Sequence, residues 1–155
     1  AHSRETGGLA ASGRRHETMN TKPEADMPAA AAAPRLAEPA LARLRELDPD
    51  GRHGVVERVL QAFESSLMRA LPRLAEAIEC ADAAAMQSVA HMLKSSSASV
   101  GALGLAEAST ALELGARAGP SPELAPLAQR MLAEGERALV AVRAFLADPG
   151  RPASR

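Results

Sequence analysis

The chain has no tryptophan and no tyrosine, and Phe63 and Phe145 are its only aromatics. Of its 155 residues 46% are hydrophobic, so the apolar mass is almost all Ala, Leu, Val and Met. That composition favours close helix packing over a β-rich core. Cysteine is nearly as scarce: Cys80 stands alone. No intrachain disulfide can form, and with no Cys or His cluster beside it no zinc site is indicated. A reducing compartment is the simplest setting, and Cys80 reads as a small buried or half-buried residue rather than a reactive thiol. Neither sign of charge dominates, with 18 Lys and Arg against 19 Asp and Glu. Without a long run of one sign, binding to nucleic acid or to an anionic membrane surface is not expected. There is also no apolar run of about 18 residues and no basic, apolar and small-residue succession of a secretory signal, so the chain reads as soluble and cytoplasmic. No Gly-rich phosphate loop or other nucleotide motif occurs, which argues against ATP chemistry in this chain.

What is present is helical periodicity behind a leader of different composition. Residues 1–35 combine Gly7, Gly8, Gly13, Pro23, Pro28 and Pro34 with the run Ala29 to Ala33, and read as a disordered tail or linker. The period starts at Leu36. Leu36, Ala40, Leu44 and Leu47 mark a short first helix that begins near Pro39 and stops at Asp48-Pro49. Val56, Val59, Leu60, Phe63, Leu67, Leu71, Leu74 and Ile78 form a long second stripe that Pro72 should kink. Asp82 is a suitable N-cap for a third helix with Met86, Val89, Leu93, Ser96 and Val100 inward, ending at Gly101. Leu105, Ala108, Leu112 and Gly115 mark a fourth. Leu124, Leu127, Met131, Ala138, Val142 and Phe145 mark a fifth, up to Asp148-Pro149. The expectation is an all-α fold: an up-and-down four-helix bundle over residues 36–147 with a short extra N-terminal helix at one end, and a C-terminal tail at 148–155.

The third helix carries the candidate chemistry. On a helical wheel Gln87, Lys94, Ser95 and Ala98 fall within about 60° of His91, while the apolar residues cluster on the opposite side. His91 should therefore face solvent, one turn from a cation and among small side chains. A neutral imidazole nitrogen is a competent nucleophile near neutral pH, and an ammonium can steady a transferring phosphoryl group. Small neighbours would let a partner dock for in-line transfer. Gln87 on the same face serves equally as a docking contact or as a plain solvent-facing residue.

The segment Ala90-His91-Met92-Leu93-Lys94-Ser95-Ser96-Ser97-Ala98-Ser99-Val100-Gly101-Ala102 resembles the phosphoacceptor segment of the histidine phosphotransfer (HPt) family. That family's pattern runs His, any residue, Leu, Lys, Gly, Ser, with a Gly ten residues after the His. His91, Leu93, Lys94, Ser96 and Gly101 match, and Ser95 stands where Gly is frequent. The resemblance extends over about residues 36–147. It implies a four-helix bundle phosphorylated on an imidazole nitrogen, with receiver domains of response regulators as donor and acceptor. His91 would be the phosphoacceptor and Lys94 would stabilise the phosphoryl group. Gln87, Ser95 and Ala98 would meet the partner, as would Glu113, which matches a polar position that comes close to the phosphoacceptor in the family. The module would be a monomeric phosphocarrier rather than an enzyme. It would need no cofactor or metal of its own, Mg being supplied by the partner receiver. The Ala- and Pro-rich leader and the first residue Ala1 suggest the C-terminal piece of a hybrid sensor histidine kinase, a free-standing carrier being the other arrangement.

Two further readings remain beside the carrier. A helical adaptor that binds receiver domains without accepting phosphate would be favoured by Ser95 in place of Gly. A Ser and His hydrolase built on Ser95 to Ser97 is disfavoured, because the His91 face of its own helix offers no Asp or Glu to orient the ring and no oxyanion loop is visible. Ser96 and Ser97 read as small packing residues bonded to carbonyls one turn back. His2, His16 and His53 show no metal-ligand spacing.

Overall fold

Capping and periodicity together determine the helix boundaries. The computed structural model describes residues 33–150, in which five α-helices and no strand are found. Helix α1 spans Glu38–Glu46, α2 Val55–Glu79, α3 Ala83–Val100, α4 Leu103–Arg117 and α5 Leu124–Ala147. The expected tails at 1–35 and 148–155 fall outside the described residues except for 33–35 and 148–150. No helix among the described residues is long and apolar enough to cross a membrane.

The connections are built from side-chain and backbone caps. Asp48, 8% exposed, accepts from the backbone N–H of His53 at 3.0 Å and of Val55 at 3.4 Å, so it secures the loop that opens α2. At the other end of α2, Ala81 adopts a left-handed φ of 51°, and the N–H of Asp82 reaches the carbonyl of Ala77 at 2.9 Å. Asp82 then caps α3 by accepting from the Ala85 N–H at 3.0 Å, as its sequence position leads one to expect. Gly101 closes α3 with φ 83°, the N–H of Ala102 bonding to the Ser97 carbonyl at 2.8 Å and that of Gly101 to the Ala98 carbonyl at 3.2 Å. This is a Schellman stop, which needs a residue that tolerates φ > 0.

The four long helices close a ring in which α2 packs on α3, α3 on α4, α4 on α5 and α5 back on α2. Short connections make successive helices antiparallel. Their shared interior holds Leu60, Leu67, Leu74, Leu93, Leu105, Leu112 and Met131, all essentially inaccessible. Each such side chain contributes roughly 1.5–3 kcal/mol relative to an exposed one. Gly135 of α5 lies so close to Leu71 of α2 that a Cβ there would collide with the leucine methyl. Helix α1 covers one end, touching α2 and α3 through buried Ala40 and Leu41. The strand of backbone before it is tied down where the Ala37 N–H donates to the Gly101 carbonyl at 2.9 Å.

Several positions depart from the periodic reading. Leu47 is 70% exposed, because it is the C-cap residue of α1, and Leu41 fills the core instead. Ser97 is buried in α3 where Ser96 was expected, and Ala116 is buried in α4 where Gly115 was expected. In both helices the buried position lies four residues after the preceding leucine, Leu93 or Leu112, rather than three, and a 3.6-residue period admits either step. Pro72 lies inside α2, which continues through it. Cys80 is exposed, not buried or half-buried: it caps α2 three residues past Ala77, the last buried position.

Candidate functional site

The site lies where α3 packs against α4. On α3, the buried stripe Met86, Val89, Ala90, Leu93, Ser97 and Val100 turns the opposite face outward. That face presents the His91 side chain at 70% exposure, with Ser95 and Ala98 exposed and Gln87 and Lys94 half-buried. The hydroxyls of Ser96 and Ser97 are turned back to the Leu93 carbonyl at 3.2 and 2.6 Å, and that of Ser99 to the Ser95 carbonyl at 2.9 Å. None of these is aimed at His91, and the floor beside the imidazole is low and small.

Helix α4 adds the residue that organises the ring. Glu113 flanks the buried stripe formed by Leu105, Ala108, Leu112 and Ala116 and is itself 2% exposed. Its Oε1 lies 3.0 Å from His91 Nδ1 and 2.8 Å from an Arg117 guanidinium nitrogen, and its Oε2 lies 2.8 Å from Lys94 Nζ. The Lys94 hydrogen bond, followed by the one from His91, lowers the Glu113 pKa from 4.5 to about 2, against the opposing effect of burial. Glu113 is therefore ionised at neutral pH and can only accept. Nδ1 must carry the ring proton, and Nε2 is left with its lone pair on the exposed side of an oriented imidazole.

All of the expected site residues lie on or beside this face, but Glu113 has a different place from the partner contact implied by the resemblance. It is buried, and its oxygens are engaged by His91, Lys94 and Arg117. A carboxylate does orient His91, although α3 itself provides none, because α4 supplies it. Lys94 sits beside His91 with its ammonium on Glu113, which leaves further N–H donors for another anion. Arg117 completes the cluster, and its four-residue spacing from Glu113 is the one sign of it in the sequence. Among the described residues no three His, Cys, Asp or Glu side chains are grouped so as to hold a metal ion.

Residues 58–144, more than half of the chain, match the Hpt domain family. The chain belongs to that family. The Hpt bundle is also similar to the crystal structure of histidine-containing phosphotransfer protein B from Pseudomonas aeruginosa, with 28% identity and a TM-score of 0.63. The match covers 75% of this chain and 97% of that one. No curated protein sequence matches the chain. An Hpt domain has a histidine phosphotransfer role in a phosphorelay, carrying the group rather than catalysing turnover, and Hpt domains work with receiver domains.

Proposed function

We propose that His91 is the phosphoacceptor of this Hpt domain, taking a phosphoryl group from the aspartyl phosphate of one receiver domain and passing it to the aspartate of another. The observation that carries this reading is the bond between His91 Nδ1 and ionised Glu113 on an otherwise open ring, which leaves Nε2 as the exposed nucleophile. In the forward step the Nε2 lone pair attacks phosphorus and a new N–P bond forms. The bond from phosphorus to the acyl oxygen breaks, and the aspartate leaves as a carboxylate. No proton has to move, because Nδ1–H stays on Glu113, whose charge offsets the positive charge that the ring acquires. Lys94 can offer N–H donors to the phosphoryl oxygens. Ser95 and Ala98 leave room for the receiver to approach in line, with Gln87 at the edge of the same face. The metal ion of the transfer is assigned to the receiver's acidic pocket. The Ala- and Pro-rich stretch before the bundle supports a tethered module of a hybrid sensor histidine kinase, its linker raising the local concentration of a receiver.

The test is to treat the chain with phosphoramidate and, separately, with a receiver domain loaded by acetyl phosphate. Acid-labile, base-stable label with phosphorus coupled to Nε2 in NMR spectra is expected, and His91→Gln should take none. Label that persists in that variant would reject His91 as the acceptor, and a wild-type chain that binds a receiver but takes no label would point to the adaptor reading instead.

A further inference from the structure

Glu113 holds more positive charge than one carboxylate needs. Its Oε2 takes Lys94 at 2.8 Å, while its Oε1 takes both His91 Nδ1 at 3.0 Å and Arg117 at 2.8 Å. The two cations occupy different positions. Lys94 stands on α3, one turn beyond His91, with an ammonium on a flexible stem. Arg117 stands on α4, one turn beyond Glu113, and its planar head lies on the oxygen that also receives the His91 proton.

This difference matters once a phosphoryl group sits on Nε2. Its oxygens then compete with Glu113 Oε2 for the Lys94 ammonium. Were Lys94 the sole cation, its departure would leave a 3%-exposed carboxylate facing only the phosphorylated ring, whose positive charge is shared with the phosphoryl oxygens, so Lys94 would be held back. With Arg117 in place, the carboxylate keeps both a counter-ion and its hold on Nδ1. We infer that Arg117 is a positioning residue for phosphotransfer at His91: it keeps Glu113 charged and bonded to Nδ1 while Lys94 turns to the phosphoryl oxygens. The inference rests on His91 being the phosphoacceptor. Among the described residues, the charged groups that face the ring are Glu113 directly and Lys94 and Arg117 through it, the first and last from α4 and Lys94 from α3.

A Glu–Arg pair four residues apart is also an ordinary helix contact, of small effect where both partners are exposed. A purely structural role would lower the melting temperature and leave the chemistry alone. The experiment uses the full chain and phosphoramidate, a donor that is protonated on nitrogen and releases ammonia as the Nε2–P bond forms. Phosphorylation rates against donor concentration are followed by phosphorus NMR, and the His91 Nδ1–H by nitrogen NMR before and after labelling. Arg117→Gln is expected to keep Nδ1–H in the unphosphorylated protein, where Lys94 still holds Glu113, and to lose its protection after labelling. Its maximal rate should fall about ten- to hundredfold, the scale of a misplaced catalytic group, with little change in the half-saturating concentration. Arg117→Lys should restore most of the rate. A wild-type rate in Arg117→Gln, loss of Nδ1–H before labelling, or a Lys variant as slow as the Gln variant overturns the assignment. Wild-type protein that takes no label, or His91→Gln that does, overturns the phosphoacceptor reading and this inference with it. Normal wild-type labelling beside an unaffected Arg117→Gln overturns the Arg117 role alone.

Discussion

Glu113 Oε1 lies 3.0 Å from His91 Nδ1, so a buried carboxylate on α4 decides which nitrogen of an exposed imidazole on α3 carries the proton and which keeps its lone pair. The pairing joins two helices, and it is strong because the acceptor is charged and largely shielded from water. Glu113→Ala should leave His91 free to rotate and to exchange tautomers. Phosphorylation by phosphoramidate should slow by about ten- to hundredfold. Glu113→Gln retains an acceptor oxygen without the charge and should fall between that variant and wild type. Equal rates for all three proteins would remove Glu113 from the chemistry.

The same carboxylate ties stability to pH. Its pKa of about 2 in the folded protein lies below the ordinary 4.5, held there by Lys94 and His91. A group depressed on folding stabilises the native state above its unfolded pKa, and the benefit is lost as pH falls through the folded value. The contribution of Glu113 should therefore be whole at neutral pH and disappear between about pH 5 and pH 2. Melting temperatures measured across this window should drop less steeply in Glu113→Gln than in wild type.

Gly101 is held by two constraints at once. Its φ of 83° is left-handed, and a Cβ there would sit 2.6 Å from the Ala37 nitrogen and 2.9 Å from the Ala37 oxygen. Gly101→Ala should cost about 2–4 kcal/mol in denaturant unfolding, from the backbone conformation and the clash together. The damage should be local to the strap before α1, so hydrogen exchange at Ala37 ought to rise before exchange in the middle of α3 does.

Ser109 of α4 is fully buried, and its hydroxyl has no hydrogen-bond partner among the described residues. An unpaired buried hydroxyl carries a desolvation penalty with no return. Ser109→Ala should be stabilising by about 1 kcal/mol, visible as a higher denaturation midpoint at unchanged m-value. A loss of stability would mean that the hydroxyl is bonded in solution.

Much of this fold can be read from single residues. Asp82 and Gly101 bracket α3 as a cap and a stop should, and the outward face of His91 follows from the positions of Val89, Leu93 and Val100. Period alone misplaces residues at the stripe's edge, which is why Ser97 rather than Ser96 is buried. Asp48 escapes because its partners lie across a loop, where no period links them. The site was half legible: everything on α3 follows from one helical wheel, whereas Glu113 reaches His91 across a helix–helix contact that no wheel contains. Resemblance pointed to Glu113 but not to its burial. Arg117 was visible as the fourth residue after Glu113, yet that spacing has no meaning until Glu113 is known to be buried.

Ser95 tests the open floor of the site. It is exposed one turn beyond His91, and its hydroxyl is small enough to let another protein close over the ring. A bulky side chain there would stand where a receiver must bring its aspartate into line with Nε2, whereas phosphoramidate is small and can enter from the solvent side. Ser95→Tyr should therefore reduce transfer from a phosphorylated receiver about a hundredfold more than labelling by phosphoramidate, because misalignment penalises only the donor that has to dock. Ser95→Gly should run the other way and speed receiver transfer modestly. If the tyrosine variant slows both donors equally, the obstruction lies at His91 itself and the partner approaches from another side of α3.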